Sequence, residues 1–259
     1  MKQEPFITLV MAAGKGKRML DPDLPKVMYR VNGTPMVDHV VDLAFEIGSR
    51  RIVVIVGFKR ELVVDHLTDK YGKSIEFAVQ AEQLGTGHAV MQTEPVVGKF
   101  EGDLLVLSGD VPILRASTLS ELLRIHSETD SSMTVVTAET DEPTGYGRIV
   151  RHKNGTVDKI VEERDASPDE KAIREINSGI YCFKAGDLFE ALKHVSPNNA
   201  QHEYYLTDVF GYFTRHRKRV SAVLARDFDE IRGINTRAQL EVVESILNGR
   251  YAKRPEGRS

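Results

Sequence analysis

The residues best suited to chemistry stand where the first apolar run ends, in Ala12-Ala13-Gly14-Lys15-Gly16-Lys17-Arg18. Two small residues and two glycines let a ligand approach the backbone closely. Successive N–H groups in such a turn can form a nest for an anion. Lys15, Lys17 and Arg18 add positive charge at the same place. The chemistry indicated is phosphate binding at the carboxyl end of a strand, where open α/β sheets take their ligands. The plainer alternative is a surface turn with solvated lysines. Two common phosphate loops are excluded. A Walker A loop needs Ser or Thr after a Gly-Lys pair, and none follows here. A dinucleotide fingerprint needs a third glycine and an immediate helix. Met19 occupies that glycine position, and Pro22 and Pro25 delay any helix. Lys26 follows Pro25. It is either a solvated charge or a point charge folded back over the phosphate nest.

Asp110, in Ser108-Gly109-Asp110-Val111-Pro112, ends another apolar run. A carboxylate there can hold Mg²⁺, which prefers hard oxygen ligands; a turn aspartate before proline is the alternative. Asn235, in Gly233-Ile234-Asn235-Thr236, is either an amide ligand to the same ion or the N-cap of the last helix. Gln80, Gln83, Gly85 and Thr86 follow a third run. An amide presents both donor and acceptor to a base edge, and the glycines leave room for a ligand; otherwise this is a polar loop capped by Thr86. His88 in the same stretch is read as structural. Gly147, Glu162 and Asn177 are polar or flexible points of the second half, able to meet sugar hydroxyls or simply to form turns. No nucleophile-elbow motif occurs.

These residues need elements that deliver them to one place. Buried-type strands are expected at 6–13, 51–57, 75–80 and 103–108, alternating with helical spacing over 37–45, 61–69 and 117–127. That rhythm predicts an α/β fold, a mostly parallel central sheet with helices on both faces. The second half is less regular. Asn154-Gly155 predicts a hairpin between 148–150 and 157–161. Strands are expected at 176–183 and 220–225, and helices at 187–194, 204–215 and 236–247. Asn32-Gly33 is read as a turn. With no linker-like stretch, residues 1–259 are expected to be one domain with a smaller β-rich substrate-side region.

The composition fits an ordinary soluble protein: 259 residues, 41% hydrophobic, 28% charged. A net charge of -3 argues against nucleic acid as partner. The apolar start is too short to span a bilayer. The single cysteine, Cys182, allows no intrachain disulfide and no zinc site built on cysteines. It suits a reducing cytoplasm, the expected location.

Taken in order, Ala12-Ala13-Gly14-Lys15-Gly16, Leu24-Pro25-Lys26-Val27, Gln83-Leu84-Gly85-Thr86-Gly87-His88-Ala89 and Gly109-Asp110-Val111-Pro112 resemble the sugar-nucleotide pyrophosphorylases. Gly145-Tyr146-Gly147-Arg148, Glu175-Ile176-Asn177-Ser178-Gly179, Glu203-Tyr204-Tyr205-Leu206-Thr207-Asp208 and Gly233-Ile234-Asn235 look like the bacterial N-acetylglucosamine-1-phosphate uridyltransferase branch. The resemblance implies a Rossmann-like nucleotidyltransferase fold and a Mg²⁺-dependent reaction of UTP with N-acetylglucosamine 1-phosphate, giving UDP-N-acetylglucosamine and pyrophosphate. It implies that Arg18 and Lys26 are catalytic and that Asp110 and Asn235 hold the metal. Ala12, Ala13, Gly14, Lys15 and Gly16 would then meet the triphosphate, Gln80, Gly85 and Thr86 the nucleotide side, and Gly147, Glu162 and Asn177 the amino sugar, with Gln83, Ser108 and Gly109 also binding substrate. Lys17 and Ser108 depart from the family, which often has Thr and Tyr there. Bifunctional members carry a left-handed β-helix acetyltransferase domain after this region; no hexapeptide repeat follows Leu247, so acetyl transfer is not expected. The rival readings are another sugar 1-phosphate or nucleotide, or a silent nucleotide-sugar sensor.

Overall fold

The computed structural model describes residues 5–16, 19, 21 and 23–252, to residue 249 in side-chain detail. In chain order the strands are β1 (Phe6–Ala12), β2 (Arg30–Val31), β3 (Thr34–Pro35), β4 (Arg51–Val56), β5 (Ile75–Val79), β6 (Asp103–Ser108), β7 (Met133–Glu139), β8 (Gly147–Arg151), β9 (Val157–Val161), β10 (Glu175–Lys184) and β11 (Val220–Leu224). The helices are α1 (Met36–Glu46), α2 (Arg60–Tyr71), α3 (Thr86–Met91), α4 (Glu94–Val97), α5 (Ala116–Glu128), α6 (Pro168–Lys171), α7 (Ala185–Leu192), α8 (Val209–Arg215) and α9 (Arg237–Ala252).

The apolar runs become central strands because they have no polar face to leave in water. The main sheet runs in the order β11-β7-β10-β6-β1-β4-β5. β1 pairs in parallel with β4 and β6, β4 with β5, and β7 with β11. β10 alone along this path is antiparallel, to both β6 and β7. Side-chain alternation divides the core. Val10, Val54, Leu105 and Leu107 pack under α1, α2 and α5. Leu9, Val53, Leu104 and Val106 face α3, α7 and α8. The mostly parallel sheet with helices on both faces is the expected architecture.

The smaller β-rich part arises from one irregularity. Between Asn177 and Tyr181 the register of β10 shifts, with Gly179 at φ 77°. The residues before the shift pair with β8, which in turn pairs with β9. The β8–β9 turn falls at Asn154-Gly155, with Gly155 at φ 85°. Asn32 and Gly33, at φ 49° and 80°, turn the short β2–β3 ribbon as expected.

β7 is a strand that no apolar run announces, and Pro35 precedes α1 as its N-cap. One expectation needs correction. A helix over 204–215 is too long at its start: Leu206–Asp208 is a 3-10 turn and α8 begins at Val209. The reason is that Tyr204 is bonded elsewhere, its N–H to the Leu84 carbonyl and its carbonyl to the Gly87 N–H, both at 2.7 Å. Among the described residues no helix is long and apolar enough to cross a membrane.

Candidate active site

The carboxyl ends of β1 and β6 lie side by side, and the Gly109 N–H donates to the Met11 carbonyl at 3.0 Å. Loops leaving these strands border two cavities. The first, about 280 Å³, is lined by Ala13, Gly14, Lys26, Gln80, Gln83, Gly85, Thr86, Ser108 and Asp110. The second, about 210 Å³, is lined by Gly147, Glu162 and Asn177 together with Tyr146, Tyr181 and Thr207. Met11, Thr86 and Ser108 border both, so the two cavities adjoin. Nine of the residues singled out from sequence therefore line the first cavity, and five line the second, Thr86 and Ser108 being common to both.

Lys26 organises the first cavity. Its ammonium donates to Asp110 Oδ2 and, at 2.6 Å, to Asn235 Oδ1. Residues 84 and 209 positions away along the chain thus meet on one cation. Gly16 makes room for it. It sits at φ 61°, and a Cβ there would lie 2.9 Å from the Lys26 Cβ. Gly14 has nothing within 4 Å of its would-be Cβ, so space beside it is open to a ligand. Ile234 N–H donates to the Asp110 carbonyl at 3.0 Å, which fixes the Asn235 loop against the end of β6.

Asn235 is not the helix cap. Thr236 Oγ1 accepts from the Gln239 N–H at 3.3 Å, while Gln239 Oε1 accepts from the N–H groups of Asn235 and Thr236 at 2.7 and 3.1 Å. This reciprocal box satisfies the start of α9 and leaves the Asn235 amide oxygen for Lys26.

The loop after β5 is built around Gln80, which is buried and donates to the Gly85 carbonyl at 3.0 Å. Its amide nitrogen also lies 3.2 Å from His88 Nδ1, the structural role expected of that histidine. Gly85 has a reason other than ligand approach. At φ 111°, a Cβ there would stand 2.6 Å from the Tyr204 carbonyl. Thr86 likewise does not act as a cap through its hydroxyl, which accepts the Leu206 N–H at 3.0 Å.

In the second cavity, register places Gly147 opposite Asn177. Asn177 donates to the Tyr181 hydroxyl at 2.7 Å and accepts the Gly179 N–H at 3.1 Å, holding the irregular part of β10. Glu162 follows β9, and Thr207 Oγ1 donates to it at 3.0 Å. Burial raises the pKa of Glu162 above the ordinary range; the Thr207 hydrogen bond opposes this, and Asp208 and Asp165 add to it. A half-buried carboxylate and an amide facing one cavity suit a polyhydroxylated ligand.

Some assignments fall elsewhere. Ala12 is buried within β1. Lys15, Gly16 and Gly109 lie beside the first cavity rather than in its lining. Arg18 and Lys17 lie outside the described residues. Sequence reasoning did not select Glu203, which lines the first cavity, or Thr207 and Tyr181, which line the second. Glu203 and Thr207 stood within a quoted motif, but only the fold shows what they face.

The sheet, the phosphate-suited loop and the paired cavities define a nucleotide-transferring class of protein. Residues 7–231 match the nucleotidyl transferase family, and the chain belongs to it. Among curated relatives it is 46% identical to the "Bifunctional protein GlmU" of Streptococcus gordonii over 242 residues, covering 93% of this chain and 52% of that protein. The protein of the same name from Pelotomaculum thermopropionicum is also 46% identical over 242 residues, with the same shares covered. That from Streptococcus agalactiae serotype V is 45% identical over 245 residues, covering 95% of this chain and 52% of the relative. The chain thus spans about half the length of these relatives. A solved UDP-glucose pyrophosphorylase complexed with UDP-glucose superposes with a TM-score of 0.75 at 20% identity, over 96% of this chain and 100% of that one. At that identity the likeness is one of fold.

Proposed function

We propose that this chain transfers a uridylyl group from UTP to N-acetylglucosamine 1-phosphate, giving UDP-N-acetylglucosamine and pyrophosphate. The observation that carries this reading is the pair of adjoining cavities at the ends of β1 and β6. One offers a glycine loop and Lys26 to a nucleotide triphosphate; the other offers Glu162, Asn177 and the Gly147 backbone to a sugar. Their shared border at Ser108 and Thr86 is where the two substrates would meet.

The sugar phosphate oxygen is already anionic and needs no general base. It attacks the α-phosphorus of UTP, and the bond to the bridging oxygen breaks to release pyrophosphate. The difficulty is repulsion between two polyanions, so rate depends on alignment and charge neutralisation. Lys26, with Arg18, supplies fixed positive charge. Asp110 and Asn235 fit a magnesium site. Both present hard oxygens, and both already converge on a cation, the Lys26 ammonium. Bound there, Mg²⁺ would neutralise phosphate charge. Gln80, Gln83, Gly85 and Thr86 address the uracil and ribose side.

The test is pyrophosphate release with product identification over a panel of nucleotides and sugar 1-phosphates. UTP with N-acetylglucosamine 1-phosphate should be the best pair by kcat/KM. Glucose 1-phosphate should be much poorer, because a site that hydrogen-bonds the acetamido group leaves its own polar groups unpaired without it. Equal use of both sugars counts against the substrate assigned here, and no pyrophosphate release with any pair leaves a binding protein instead.

A further inference from the structure

The far end of β6 carries a second group of chemistry-bearing side chains. Asp103 begins β6, His126 lies in the last turn of α5, and Cys182 is in β10. Strand register brings them together. Cys182 stands opposite Leu105 on one side and Thr134 on the other. Asp103 is two residues before Leu105, so it points to the same face of the sheet, the face that α5 covers. One ligand atom from each residue lies within 4.8 Å of the other two. Asp110 is seven residues further along the same chain direction, roughly 20 Å away at strand rise, so this group is separate from the substrate cavities.

The histidine is the informative member. It is 1% exposed, and its Nε2 has no hydrogen-bond partner. That nitrogen lies 3.4 Å from Asp103 Oδ1 without a hydrogen bond joining them. The opposite nitrogen, Nδ1, is 2.8 Å from Thr134 Oγ1. With Nδ1–H donating to that hydroxyl, Nε2 turns a lone pair toward a carboxylate oxygen. Two acceptors facing each other repel, and a buried polar atom without a partner is destabilising. A cation between them removes both penalties. The third neighbour is a thiol, a soft donor once deprotonated.

We propose that Asp103, His126 and Cys182 form a binding site for a divalent cation of the zinc type. Carboxylate, imidazole and thiolate are the donor set zinc takes, and a tetrahedral site separates its ligand atoms by about 3.5 Å. The aspartate and histidine atoms already stand at that separation, at 3.4 Å; the sulfur, within 4.8 Å of both, needs to close by no more than about 1.3 Å. The Thr134 hydroxyl can accept from Nδ1–H on the far side of the ring, the outer contact that suits a ligating histidine. Asp103, whose side chain is 19% exposed, gives the ion its way in and leaves a fourth position to water. On binding, the Cys182 thiol loses its proton to solvent and the sulfur coordinates as thiolate. The site needs only one cysteine, because the fold adds the histidine and the carboxylate from other elements.

The chain holds one cysteine, so any thiolate-to-metal signal reports Cys182 alone. Metal-free protein is titrated with Co²⁺ in excess Mg²⁺, reading thiolate-to-cobalt charge-transfer absorption. The band should saturate at one equivalent, disappear in Cys182→Ala and persist in Asp110→Asn. In a Zn²⁺ competition, Asp103→Asn, which alters a partly exposed side chain without emptying the core, should weaken binding by about tenfold or more. Absence of the band from the wild type overturns the proposal. So does its survival in Cys182→Ala, or equal Zn²⁺ affinity in the wild type and Asp103→Asn. If Cys182→Ala does not fold, the wild-type band and the Asp103→Asn affinity still decide the matter.

Discussion

Lys26 gathers a carboxylate from the end of β6 and an amide oxygen from just before α9. In the absence of nucleotide its ammonium competes for the oxygens assigned to the metal. Lys26→Met should therefore tighten binding of Mn²⁺ to the free protein, read by electron paramagnetic resonance, while slowing turnover. Weaker Mn²⁺ binding in that variant would show that the lysine supports the donor pair instead of opposing a metal there. Asp110→Asn should lower turnover by about a hundredfold or more at saturating Mg²⁺, the scale of one removed electrostatic group. Glu162 gives a pH test. Its pKa is raised in the fold, chiefly by burial. The protonated form therefore persists above the ordinary glutamate range, and the ionised acceptor appears only as pH rises through the raised value. KM for the sugar phosphate should fall over that rise, and the dependence should vanish in Glu162→Gln with KM for UTP unchanged. A pH-independent wild-type KM would remove Glu162 from sugar binding. At this scale residue types were legible but partners were not. Asp110, Lys26 and Asn235 were each readable as a turn, a surface charge and a cap. Asp110 does lie in a turn; what the fold adds are contacts spanning 84 and 209 residues, which no local pattern encodes.

The elements that are easiest to read are those with a near-continuous apolar run, β1, β4 and β6, because burial on both faces gives them no polar side. β7 was missed although its first six residues are buried. Its threonines and single alanine weaken the apolar signal, and only pairing with β10 and β11 fixes it as a strand. The helix at 204–215 was overextended for the opposite reason: its apolar and aromatic residues continue into a segment whose backbone is bonded to another loop. Helix caps can be misassigned by one position, and here the error matters. Thr236, not Asn235, accepts the first-turn N–H of α9, and Gln239 returns the bond. Thr236→Ala should cost about 1 kcal/mol of stability, the worth of an N-cap. It should also loosen the Asn235 loop, so the Mg²⁺ concentration for half-maximal rate should rise while KM for the sugar stays constant. A stability loss with no change in the metal requirement would confine Thr236 to capping.

Across the whole molecule, the two cavities are held by one clasp between distant loops. Leu84, Thr86 and Gly87 meet Tyr204 and Leu206 through three hydrogen bonds of 2.7 to 3.0 Å, with Gly85 packed against Tyr204 between them. The first segment lines the first cavity at Gly85 and Thr86. The second leads directly to Thr207, which holds Glu162 in the second. Geometry at the first cavity is therefore tied to geometry at the second, through backbone bonds and two threonine hydroxyls. Gly85 is the point on which the clasp depends. An alanine there meets the Tyr204 carbonyl at 2.6 Å and must also hold φ near 111°, a conformation that L residues rarely adopt. Strain of that kind costs about 1–3 kcal/mol, and backbone cannot swing aside as a side chain tip can. Relief comes by moving residues 203–206 outward, which breaks the Thr86–Leu206 bond and shifts Thr207 from Glu162. Gly85→Ala should thus lower the melting temperature and raise KM for both UTP and the sugar phosphate. Glu162→Gln, acting within one cavity, should raise only the second. The two variants, compared by initial rates with each substrate varied in turn, separate a shared scaffold from a local contact. A Gly85→Ala protein altered toward UTP alone would show that the loops move independently and that the sugar cavity is set by β8, β9 and β10 without the clasp.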